Sequence, residues 1–189
     1  MRSGLSCCRF SVSTCDGFTL VEVLVALFVA ALGIAGAAGI QAVALRSARE
    51  AARLADGVRL AAALAERMQT NPAAMALADH LNPYLQLDQE AGAALPAAAS
   101  CYGADAACSP DQLARFDLME SAQALAARFP GGRLLACRDA AEPDPASGLL
   151  PWSCAAQPGA PVAIKLGWSE RPGEAAVPRV LLVVAGGAS

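Results

Sequence analysis

Histidine is all but missing from this chain of 189 residues: His80 is the only one. A Ser-His-Asp or Cys-His arrangement would have to be built on that single imidazole, in a loop-like stretch and with no nucleophile motif elsewhere. His80 therefore reads as a surface residue, and no catalytic residue is assigned. There is no Cys-x-x-Cys pair, so the usual ligand spacings of a structural metal are not met. No glycine-rich loop of the phosphate-cradling kind occurs, and no cofactor is expected. Fourteen Lys and Arg against 17 Asp and Glu give a formal net charge of -3. That balance leaves no basic footprint for nucleic acid. The sharpest absence is local. From Val23 to Ile40 there is no charged residue, and the first charge after Glu22 is Arg46. A helix needs about 18 to 22 apolar residues to cross the hydrocarbon of a bilayer.

What is present at the front of that run is Gly17-Phe18-Thr19-Leu20-Val21-Glu22. A carboxylate costs roughly 2.5–3.5 kcal/mol at the centre of a membrane helix and less near its end, so Glu22 requires a reason. Three readings compete. In a secretory signal peptide, Arg2 and Arg9 form the basic region and Ala42-Val43-Ala44 the small-residue cleavage site. In a plain single-span anchor nothing is cut. Both leave Glu22 unexplained, and both belong to a different class of protein, a secreted or membrane-anchored binding domain. The third takes the order at face value: a polar leader ending in glycine, an aromatic, then a carboxylate four residues on.

That order resembles the prepilins of type IV pili and the pseudopilins of type II secretion, over Gly17-Phe18-Thr19-Leu20-Val21-Glu22-Val23-Leu24-Val25-Ala26-Leu27. The resemblance implies cleavage between Gly17 and Phe18 by prepilin peptidase, N-methylation of Phe18, and an assembly role for Glu22. It implies as partners the peptidase, other major and minor pilins, the inner-membrane assembly platform and the lipid bilayer. It also implies a single pass through a bacterial inner membrane with a periplasmic C-terminal domain, then a place on the pilus and cell surface, in adhesion or motility. Arg2 and Arg9 before the span and Arg46, Arg49, Arg53 and Arg59 after it run against a positive-inside count, so the orientation rests on the resemblance. The segment Leu64-Ala65-Glu66-Arg67-Met68-Gln69-Thr70-Asn71-Pro72 is similar to the helix end of minor pilins of the PilV kind. The expected function is a minor type IV pilin in pilus assembly, with a minor pseudopilin of a secretion or DNA-uptake system as the alternative, and not an enzyme.

The helix is expected to continue past the membrane. Ala44, Ala48, Ala51, Ala52, Ala55, Val58, Ala62, Ala65 and Met68 keep three- and four-residue spacing and read as the packing stripe. Arg46, Arg49, Glu50, Arg53, Asp56 and Arg59 read as the solvated side. Asn71 before Pro72 is pushed out of the helical region and ends it. Phe18 to Gln69 would span about 78 Å at 1.5 Å per residue. Gly33, Gly36 and Gly39 within it permit either close packing or local unwinding.

Beyond the helix, residues 73–108 read as a connecting region with one short helix at most. Ser109-Pro110-Asp111-Gln112 starts a helix by a capping box, and Pro130-Gly131-Gly132 stops it. Leu113, Phe116, Met119 or Leu118, Ala122 and Leu125 to Phe129 supply its apolar side. Leu134–Cys137 is a short strand. Val162 to Trp168 alternates like a half-buried strand, and Val180 to Val184 runs apolar like a well-covered one. Glu170-Arg171-Pro172-Gly173 turns between them. Trp152 and Trp168 read as sheet and core residues. Cys101, Cys108, Cys137 and Cys154 follow the span, as suits an oxidising compartment. Of three connectivities, Cys101–Cys108 and Cys137–Cys154 close the shortest loops, each worth about 2–3 kcal/mol in the chain-entropy model. The fold class is α+β, a pilin-like long helix on a small antiparallel sheet. The segments are a leader (1–17), a transmembrane half-helix (18–44), an amphipathic half-helix (45–70) and a disulfide-bonded globular domain (71–189).

Overall fold

The structure, a computed structural model, describes residues 17–103, 105–145, 148, 150–169 and 173–184. Contacts divide the chain into two compact units between Ala48 and Arg49. Helix α1 runs over Leu20–Thr70, with Gly33, Gly36 and Gly39 inside it. All residues from Gly17 to Ala48 are exposed, and the helix holds an 18-residue window long and apolar enough to cross a membrane.

In the second unit, α1 is followed by α2 (Pro72–Met75), a 3-10 turn (Pro83–Gln86), β1 (Asp88–Glu90), α3 (Pro110–Arg128), β2 (Arg133–Arg138), β3 (Val162–Trp168) and β4 (Val177–Val184). The four strands form one antiparallel sheet in the order β1-β2-β3-β4. This is the α+β arrangement expected from the sequence. Leu60, Leu64 and Met68 of α1, Leu118 and Leu125 of α3 and Phe129 at its C-terminal cap share one core with Leu134, Ile164 and Leu166 of the sheet. Apolar burial of this kind returns roughly 25 cal/mol per Å².

Local signals explain the helix ends. Asn71 (φ -118°, ψ 65°) leaves the helical region and accepts the Ala74 N–H in its side chain, so it closes α1 and opens α2. At α3 the capping box is complete, with Ser109 Oγ accepting from Gln112 N–H at 3.3 Å and Gln112 Oε1 accepting from Ser109 N–H at 2.9 Å. Two disulfides join Cys101 to Cys108 and Cys137 to Cys154.

Three expectations need correction. The packing stripe of α1 is Gly57, Leu60, Ala61, Leu64, Ala65 and Met68, so only Ala65 and Met68 of the expected set are buried. Val58 is 45% exposed, and Ala44 to Ala55 lie open. Alanine is so frequent here that its spacing marks no particular face. The side chains that fill the core are the larger leucines, beside a glycine that lets the sheet approach. A Cβ on Gly57 would stand 3.0 Å from the Trp168 ring and 3.3 Å from Leu166.

The roles of β3 and β4 are exchanged. Every residue of β3 is buried, whereas β4 is an edge strand with Leu181 at 43% and Val183 at 54% exposure. Both strands turn their even-numbered apolar residues to the helices. On the outer face of β3, Lys165 is met by Asp139, Pro151 and Ser153, whereas Leu181 and Val183 leave that of β4 open. The third correction is β1, a strand inside the supposed connecting region. At the close of the β3–β4 ladder the register shifts between Leu166 and Gly167, where a Cβ would come within 2.1 Å of the Val177 carbonyl oxygen. The Glu170-Arg171-Pro172 part of the expected turn lies outside the described residues, as do Arg2, Arg9, Asp16, Cys7, Cys8 and Cys15.

Candidate assembly site

The apolar front of α1 begins with a polar knot. Thr19 precedes the first helical residue, and its Oγ1 accepts the Glu22 N–H at 3.3 Å while its carbonyl accepts the same N–H at 3.1 Å. Thr19-x-x-Glu22 has the spacing of a capping box, a signal in the sequence that the membrane argument passed over. Glu22 is the only acidic residue of the first turn, where the helix dipole favours negative charge. Gly17 and Phe18 lie just outside the helix, Phe18 highly exposed. Among the described residues nothing stands within 4 Å of a Cβ placed on Gly17, Gly33, Gly36 or Gly39, so no contact inside the chain calls for glycine there. Ala42-Val43-Ala44 sits within α1, also exposed.

The far end of α1 is fastened by groups that the sequence did not single out. Arg67 donates to Asp117 Oδ1 at 3.1 Å and also to Glu120 on α3. Asp117 is buried, and its other oxygen accepts the Tyr84 hydroxyl at 2.6 Å. Asn71 donates to the Tyr84 oxygen at 3.3 Å and to the Pro110 carbonyl at 2.8 Å. Burial, then the bond to Asp117, pushes the Tyr84 phenol well above its ordinary range. Arg67 and Asn71 both belong to the Leu64–Pro72 segment, so that segment locks the helix end to α3.

On the outer face, Lys165 is fully buried and its ammonium reaches Asp139 Oδ2 at 2.6 Å and the Pro151 and Ser153 carbonyls at 2.8 Å each. Asp139 also accepts the Ala141 and Ala155 N–H groups. Burial pushes its carboxyl up, but Lys165 and the two backbone donors outweigh that and hold it below the ordinary carboxylate range. With the Cys137–Cys154 disulfide beside it, this pair pins the covering stretch to the central strand.

His80 is exposed in a turn and lines an open groove of about 530 Å³. The charged residues there, Asp88 and Arg115, are engaged in ion pairs with Arg133 and Asp111. Trp152 is half-buried, donates to the Ala176 carbonyl and stacks under Arg133, while Trp168 lies in the core against Phe129. Among the described residues no three His, Cys, Asp or Glu side chains converge on one point.

Comparison with known families gives two adjoining matches. Residues 13–38 match the prokaryotic N-terminal methylation motif, and residues 39–119 match the Tt1218-like family, described as type IV pilin Tt1218. No curated protein and no solved structure matches the chain. The pilin family is structural, and a methylation motif on a pilin implies processing by prepilin peptidase and assembly with other pilins. With an exposed apolar helix behind the motif and an α+β unit after it, the chain is a type IV pilin-like protein.

Proposed function

We propose that this protein is a minor type IV pilin that takes part in pilus assembly. In this reading residues 1–17 are a leader, removed between Gly17 and Phe18, and the Phe18 amine is N-methylated. Residues 18–44 hold the subunit in the inner membrane, with residues 71–189 in the periplasm, until the assembly platform passes it into or beneath a pilus of major and minor pilins. The minor assignment is supported by the Leu64–Pro72 segment and by the Pro130-Gly131-Gly132 end of α3, both similar to minor pilins of the PilV kind.

The observation that carries the reading is the isolation of Glu22. It is the only charged residue between Leu20 and Leu45, on a helix surface that is exposed throughout that span. Further along the same helix, Ala48, Ala51, Ala55 and Val58 are open as well. Small side chains of this sort let helices pack closely. Once helices are packed, Glu22 neutralises a Phe18 amine, its own or a neighbour's, where the dielectric is low. An unpaired charge there costs several kcal/mol, so only registers that pair the two are populated.

Cells carrying Glu22→Leu or Glu22→Gln test this, the second keeping side-chain size while removing charge. The subunit should be cleaved normally yet fall at least about tenfold in sheared pili, the ratio for 1.4 kcal/mol. Normal recovery of either variant in pili contradicts the mechanism. Wild-type subunit that stays in the envelope and supports protein secretion or DNA uptake instead assigns the chain to a pseudopilus.

A further inference from the structure

The core-facing stripe of α1 continues beyond the end of the sheet and changes character as it does. Leu64, Leu60 and Gly57 face the core, with Gly57 against Trp168. Stepping back along the same helix by four and three residues leads to Arg53, Arg49 and Arg46. All three are exposed, and Arg46 directly follows Leu45, the last residue of the uncharged stretch after Glu22. The opposite face carries Ala48, Ala51 and Ala55 without charge. Within residues 46–55 the charges lie on the core-facing side of the helix, and Arg59, further along, comes round to the other. With Glu50 beside them the three arginines leave a net charge of +2 on residues 46–53, and Asp56 is paired with Arg59 at 3.0 Å.

We infer that Arg46, Arg49 and Arg53 form a binding face for the phosphates of anionic phospholipid headgroups, which sets the depth of the helix in the bilayer before assembly. This rests on the reading of residues 18–44 as a membrane span. Seven residues of helix rise about 10 Å, enough to cross a headgroup layer some 5–8 Å deep on each side of the hydrocarbon. Guanidinium stays charged and matches phosphate oxygens two at a time, while its aliphatic stem lies along apolar surface. Charge complementarity selects an anionic over a zwitterionic lipid, because only the former leaves net negative charge at the surface.

The test uses the full chain reconstituted in equimolar phosphatidylcholine–phosphatidylglycerol vesicles. Alkaline carbonate extraction reports insertion, and native mass spectrometry after mild detergent release counts retained lipids. The wild type and Arg59→Gln should resist extraction and retain phosphatidylglycerol over phosphatidylcholine by at least about fivefold. The triple variant Arg46→Gln/Arg49→Gln/Arg53→Gln should also resist extraction but retain the two lipids equally. Equal retention by the wild type, a preference that survives in the triple variant, or a loss as large in Arg59→Gln overturns the inference and leaves the membrane reading standing. Extraction of the wild type by carbonate removes the membrane reading and this inference with it. A triple variant with unchanged lipid preference that is lost only from pili shows instead that the arginines meet carboxylates of a neighbouring subunit.

Discussion

Lys165 has no solvent exposure, and among the described residues Asp139 is the carboxylate that pairs with it. The pleat places Lys165 on the outer face as its alternation with Ile164 and Leu166 requires. Its burial comes from a stretch that has no periodicity to read: Asp139, Pro151 and Ser153 are spread over irregular chain, and only the Cys137–Cys154 spacing hints that this chain folds back. Asp139→Asn leaves a buried ammonium without its counter-charge and should cost about 3–5 kcal/mol in denaturant unfolding of the full chain in detergent. The pH dependence follows from the same pair. Asp139 titrates below the ordinary 3.8 when folded, so its contribution is complete above that value and is lost as pH falls through the folded pKa. The wild type should therefore lose stability below about pH 4, and Asp139→Asn should show a flatter acid limb in the same melts. An acid limb unchanged by the substitution would mean that the pair does not govern it.

Among the elements, legibility tracked the strength of local chemistry. Helix α3 was readable from Ser109, Pro110 and Gln112 because capping bonds are made within four residues of sequence. β1 was not readable, since Asp88-Gln89-Glu90 carries no apolar alternation and is a strand only through its ladder with Arg133 to Leu135. The exchange between β3 and β4 has the same origin. Composition says that a strand is apolar, but whether it is central or at an edge is decided by neighbours far away in sequence. For α1 the period was visible and the face was not. Gly57 is the position that distinguishes the two faces. Gly57→Leu should lower stability by about 1–3 kcal/mol by forcing the helix off Trp168 and Leu166. Ala55→Leu, on the exposed side, should stay within about 0.5 kcal/mol. Thermal melts of the two variants side by side check the assignment, and a larger loss for Ala55→Leu would reverse it.

For the molecule as a whole, the motif and the uncharged run were legible because each is a contiguous pattern in the chain. The fastening of Arg67, Asp117, Tyr84 and Asn71 was hidden, because its members are drawn from three separate segments and meet only after folding. The molecule thus combines a globular unit closed by its own buried pairs with an apolar helix that is exposed from Gly17 to Ala48, and the proposed function supplies the partners of that helix. That division predicts a chain cut at one bond and modified at the new end. The mass of the N-terminal peptide of the mature protein, isolated from cells, tests this most directly. The account predicts a peptide that begins at N-methylated Phe18. A mature chain beginning at Leu45, as after a secretory signal peptide, or still beginning at Met1, as in an uncut anchor, would contradict it.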